Sequence, residues 1–96
     1  MTLDDEARRG DEAAQILKSA VYRDAWASYE AILLQLLANA DTTPQRAEEV
    51  RGWLIAARKA RGHLERIVKD GALAAEQIRR EEERKKSMAA RFFRAA

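Results

Sequence analysis

Pro44 is the only proline in this 96-residue chain, and it closes the only cluster of turn formers, Asn39-Ala40-Asp41-Thr42-Thr43-Pro44. Thr43 followed by Pro44 fits a helix N-cap with proline at the first helical position, where its missing N–H is not needed. Glu48 and Glu49 then stand near the positive helix end. Thr42 with Gln45 three residues on forms an alternative capping box, which would move the start by one residue. A connection of about five residues between long helical segments favours antiparallel neighbours, so the spacing predicts an αα-hairpin.

Ala, Leu, Glu, Arg and Lys dominate on both sides of this turn, and only 4 Gly are present. β-branched residues are scattered, with no alternating run long enough for a strand. The fold class is all-α. A second break is expected at Lys69-Asp70-Gly71, where a cation in the last turn precedes a glycine suited to a left-handed cap. Ser19 suits a third, as the N-cap of a helix starting at Ala20. The expected organisation is one helical domain over residues 1–96. An acidic leading helix occupies 1–18, near Leu3 to Lys18. A helical hairpin over 20–69 pairs Ala20–Ala38 with Pro44–Lys69. A long, partly projecting C-terminal helix with a docking tail fills 72–96.

Apolar residues in the second arm of the hairpin fall at Val50, Trp53, Ala57, Ala60, Leu64 and Ile67, a coiled-coil-like seam flanked by Leu54 and Val68. The first arm repeats the pattern through Tyr22, Trp26, Tyr29, Leu33 and Leu36. Val21, Ala25, Ile32 and Leu37 widen its apolar arc to roughly 160°, against the ~100° stripe that one buried face requires. One partner helix does not cover that arc. Either the leading and C-terminal helices fold back over it, or another copy of the chain does. Trp26 and Trp53 are read as core or interface anchors on facing helices. Gly52 and Gly62, with Ile55 between them, mark a polar side that is either an open surface or a second contact face.

The C-terminal helix follows Ala74, Ile78, Glu81, Lys85, Met88 and Phe92, with charge at the two middle positions. Glu81 precedes Lys85, and Glu82 precedes Lys86, by the four residues that favour ion pairing. Arg79 to Lys86 thus reads as a solvated rod. Beyond it Met88, Arg91, Phe92, Phe93 and Arg94 form a small aromatic and basic patch, which we read as a docking tail for a protein partner.

Nothing in the chain spells catalysis, and a non-enzymatic role is expected. There is no cysteine, which removes disulfides, thiol chemistry and thiolate metal sites. His63 is the single histidine and falls on the polar side of its helix. Ser19, Ser28 and Ser87 lack the glycine-rich context of a nucleophile elbow or phosphate loop. No catalytic, cofactor or metal site is expected. Residues 1–18 carry three basic and five acidic groups, residues 19–78 eight of each, and residues 79–96 seven basic and three acidic. That distribution gives charged ends rather than a broad positive face, so direct nucleic-acid contact is the weaker reading. No apolar run approaches the ~20 residues of a membrane span. The acidic start is unlike a signal peptide, so a cytoplasmic site at synthesis is expected.

One resemblance bears on setting. Ala14-Gln15-Ile16-Leu17, Tyr22-Arg23-Asp24-Ala25-Trp26, Thr42-Thr43-Pro44, Trp53-Leu54, His63-Leu64-Glu65 and Asp70-Gly71 together resemble a family of small helical proteins from tailed-bacteriophage and prophage structural gene clusters. The likeness covers about residues 13 to 73 and rests on the spacing of helix and turn residues. The Phe92-Phe93 tail lies outside it. The resemblance implies a structural or adaptor role in virion assembly, with other virion proteins as partners. The apolar excess points to a homo-oligomer. A small-terminase-like packaging oligomer and a helical inhibitor of a host protein are the alternatives.

Overall fold

The computed structural model describes residues 1–95 as three helices, α1 (Leu3–Lys18), α2 (Ala20–Ala38) and α3 (Pro44–Ala95). Each start has a local chemical cause. At α1 the Thr2 hydroxyl accepts the Asp5 N–H at 3.1 Å while the Asp5 carboxylate accepts the Thr2 N–H at 3.2 Å. This capping box, led by the Thr2 backbone bond, lowers the Asp5 carboxyl below its ordinary range. Ser19 closes α1 and opens α2: its N–H donates to the Ile16 carbonyl at 3.1 Å, and its hydroxyl accepts the Tyr22 N–H at 3.3 Å. Its backbone is extended, at φ −60° and ψ 128°, so one residue breaks what would otherwise be a continuous helix.

The 39–43 turn is tied from both sides. Asn39 Oδ1 accepts the Asp41 N–H at 2.9 Å, and the Thr42 hydroxyl donates to the Leu36 carbonyl at 2.6 Å. Thr43 Oγ1 accepts the Arg46 N–H at 3.2 Å. Thr43 is therefore the cap of α3, and Thr42 serves the end of α2 instead.

The break expected at Lys69-Asp70-Gly71 does not exist. α3 runs unbroken for 52 residues, about 78 Å at 1.5 Å per residue, and sets the 82 Å long axis of the molecule. No glycine has positive φ, so Gly71 is not a left-handed cap. It is buried where α1 crosses α3, and a Cβ there would stand 2.6 Å from the Gly10 Cα and 3.0 Å from the Glu6 carbonyl oxygen. The glycine serves close helix approach rather than termination.

α2 meets α3 through Leu33, Val50 and Leu54, with Leu36 and Leu37 packed beside them. Moving away from the turn, Glu30 bonds Arg58 at 2.8 Å, and the Arg61 guanidinium lies 5.3 Å from the Trp26 ring centre. The pairing runs antiparallel. α1 continues in the same direction along α3, its buried Gly10 and Ala13 lying with Gly71 and Ala74 of α3 at that end. The inward positions of α3 are Val50, Leu54, Ala57, Arg61, Leu64, Ile67, Val68 and Gly71, which keep Val50, Ala57, Leu64 and Ile67 of the expected seam while Trp53 and Ala60 are exposed. Leu54 takes the place expected for Trp53, and Arg61 that expected for Ala60.

Beyond Ile78, α3 projects with every described side chain exposed. The radius of gyration, 22.3 Å, far exceeds the ~12.5 Å of a compact 96-residue chain. Among the described residues no helix is long and apolar enough to cross a membrane.

Candidate protein-interaction surfaces

Large apolar side chains left in water gather in two sets, with Met1, Ile16, Trp53, Ile55 and Leu73 exposed elsewhere on α1 and α3 or before them. The first lies on α2, where Val21, Tyr29, Ile32 and Leu34 are 79%, 45%, 56% and 45% exposed. The wide apolar arc of this helix is thus only partly covered. Neither α1 nor the C-terminal arm folds over it, because α1 packs on α3 and the arm points away. Tyr22 is half-buried, Trp26 is half-buried beneath Arg61 of α3, and Leu33 is fully buried in the core. Among the residues singled out for contact, Leu33 is therefore committed within the chain.

Trp53 stands apart from this face. It is exposed on α3, with the Arg46 guanidinium 4.8 Å from its ring centre, while Trp26 is covered by Arg61, further along α3. The two tryptophans are not brought together. Each instead carries an arginine on its face, a cation–π pairing that keeps one side of the ring dry. Arg61 takes part in a second contact, with its Nε 3.4 Å from Glu65 Oε1, although that enclosed Nε has no hydrogen-bond partner. Arginine at a seam position gave no apolar signal in the sequence, which is why Arg61 was missed.

The second set is the tail. Met88, Phe92 and Phe93 are 63%, 73% and 78% exposed, and Arg91 and Arg94 stand in water beside them. Phe92 and Phe93 contact each other edge to face at 6.1 Å. Between tail and body the ion pairs differ from those expected. Among the described residues Glu81 and Lys85 do not pair, nor do Glu82 and Lys86. Arg79 instead bridges Glu76 and Glu83, and Arg80 joins Glu76 at 3.2 Å. Arg79, first by its hydrogen bond and then by its charge, lowers the Glu76 carboxyl to about 2. The network stiffens the helix where α1 ceases to support it.

A shallow groove of about 340 Å³ runs between α1 and α3, lined by Met1, Leu3, Ile67 and Leu73 with Glu6, Arg9 and Asp70 at its edges. Gly52 and Gly62 have nothing within 4 Å of where a Cβ would be, so they form an open side. His63 is exposed. Among the described residues no three His, Cys, Asp or Glu groups gather to hold a metal ion. Comparison with protein-family models, curated proteins and solved structures gives no match.

Proposed function

We propose that this chain is a non-enzymatic structural or adaptor protein that acts by helix-mediated self-association and protein–protein contact. The observation that supports it is the placement of exposed apolar side chains. Seven of the twelve that are exposed lie on α2, from Val21 to Leu34, and at the end of a projecting arm, Met88 to Phe93. The first surface serves self-association and the second docks another protein. The resemblance to tailed-phage structural proteins supplies the setting, assembly of a virion or phage-like particle with other virion proteins as partners.

Light scattering on the purified chain, with capture of the parent particle's proteins on the immobilised chain, tests this reading. An oligomer that captures a particle protein through the tail is expected. A monomer that captures none sinks it, and turnover of a nucleotide, ester or peptide by the chain alone sinks the non-enzymatic part.

A further inference from the structure

Much of the positive charge of α3 lies along one line. At ~100° per residue, Lys59, Arg66, Lys69, Arg80, Arg84 and Arg91 all fall within about 40° of the direction of Leu73. The acidic residues between Lys59 and Arg91 all stand about 60° or more from that direction. All six cations are exposed, and none occupies an inward position. Among the described residues only Arg80 of the six is in an ion pair, with Glu76 at 3.2 Å.

The line exists because α3 is one helix. A break at Gly71 would leave three of these cations on one segment and three on another, with no shared face. Unbroken, they run from Lys59 to Arg91, about 48 Å at 1.5 Å per residue. The line is straight, since the helix length of about 78 Å nearly equals the 82 Å long axis of the molecule.

A straight row of cations with no acid among them matches a polyanion that is itself straight. Double-stranded DNA carries one phosphate charge per ~1.7 Å of its axis. Its persistence length of ~50 nm keeps it straight over 48 Å, about 14 base pairs. Neither partner has to bend. A single strand is held chiefly by stacking on aromatic rings, and the strip carries none. An anionic membrane calls for a broad apolar face beside the cations, and between Lys59 and Arg91 the strip offers only Leu73.

We propose that this strip docks along the phosphate backbone of a DNA duplex, independently of base sequence. A row of this length far exceeds the ~12 Å width of the major groove, so the helix lies along the duplex and its long side chains reach phosphates. Asp70 and Glu76 border the strip near its middle, which leaves two contact stretches, Lys59 to Lys69 and Arg80 to Arg91. The surface is separate from both apolar sets and does not depend on them.

Fluorescence anisotropy of a labelled duplex of about 30 base pairs, titrated with the whole chain at about 50 to 200 mM salt, tests this. A Kd of ~10 µM at about 50 mM salt is expected, the same for two unrelated sequences. With five unpaired cations, log K should fall against log salt with a slope of about −4.5. Arg66→Gln with Arg84→Gln should flatten that slope by about two and weaken binding at least about tenfold at the lowest salt. Lys85→Gln with Lys86→Gln removes as much charge from outside the strip and should weaken binding less than about threefold. Circular dichroism of each variant checks that the helices remain. Equal losses from the two pairs, or a Kd above about 100 µM at about 50 mM salt, would overturn the proposal. So would tighter binding to an oligothymidine strand of about 30 nucleotides, or to vesicles with about 30% phosphatidylserine, than to the duplex.

Discussion

Gly10 and Gly71 meet backbone to backbone across the α1–α3 crossing. A Cβ on Gly10 would lie 2.7 Å from the Gly71 Cα and 3.2 Å from the Ile67 carbonyl oxygen, and a Cβ on Gly71 meets the mirror arrangement at Gly10 and Glu6. Each glycine approaches its partner and the carbonyl one turn before it. The crossing thus has an internal two-fold character that rests on two absent side chains.

Gly10→Ala and Gly71→Ala should both destabilise the fold. The new methyl group meets backbone, which cannot rotate aside, so the helices must separate; overpacking of this kind costs ~1–3 kcal/mol. The ~1 kcal/mol that alanine gains over glycine inside a helix offsets only part. Gly52→Ala and Gly62→Ala meet open space and should stabilise by up to about 1 kcal/mol. Thermal melts of the four variants should split them into two pairs of opposite sign. A rise in melting temperature for Gly71→Ala would show that the close approach is not real.

Glu76 should matter at neutral pH and cease to matter in acid. Its carboxyl is lowered to about 2 from the ordinary 4.5, chiefly by the hydrogen bond from Arg79 and next by the Arg79 charge. Between those values the folded state binds fewer protons than the unfolded one. The stabilisation is therefore complete above about pH 4.5 and lost as pH falls through about 2. The ellipticity at 222 nm of Glu76→Gln should fall below wild type at pH 7 and converge with it near pH 2. Added salt at pH 7 should narrow the gap, because the groups are exposed.

Two caps should prove separable. Ser19→Ala removes the acceptor for the Tyr22 N–H, and Thr43→Ala that for the Arg46 N–H. Each should lower stability by about 1 kcal/mol, with Ser19→Asp and Thr43→Asp restoring most of it. Denaturant midpoints at an unchanged slope provide the measurement. If Ser19→Ala proved neutral, α1 and α2 would be held by packing rather than by the cap.

Phe92→Ala with Phe93→Ala should leave melting and helicity nearly unchanged, since both rings are more than two-thirds exposed. Capture of a particle protein should fall at least tenfold, the loss of two exposed aromatic anchors being worth ~2 kcal/mol or more at an interface. A large drop in melting temperature would instead place the tail within the fold.

The ends of α1 and α2 and the start of α3 were legible because their causes are local. Thr43 with Pro44, and Ser19 before Ala20, act on amides three residues away, and a linear reading includes those. Gly71 misled for the opposite reason. A glycine after a cation suits a left-handed cap as well as a close crossing, and the residue that decides between them, Gly10, is 61 positions earlier. Trp53 and Leu54 form a second ambiguity. Adjacent apolar residues both fit a seam with a period near 3.5, and hydrophobicity favours the tryptophan. The chain instead buries Leu54 and covers Trp53 with Arg46. On the interaction surfaces, the excess apolar arc of α2 was visible from spacing alone. That α1 would leave it bare depended on the glycine crossing and could not be read locally.

The continuity of α3 makes the molecule a ruler. From Val50 in the core to Phe92 in the tail, a single helix of 52 residues fixes a separation of about 63 Å, with no joint to absorb a change. It fixes an azimuth as well. Every residue added along that rod would move the tail by ~1.5 Å and swing it by ~100° about the axis. Seven together would lengthen it by ~10.5 Å while bringing it back within ~20° of its former heading. Distance and direction between the two surfaces are thus set by one count of residues, and neither can be altered without the other except in whole heptads.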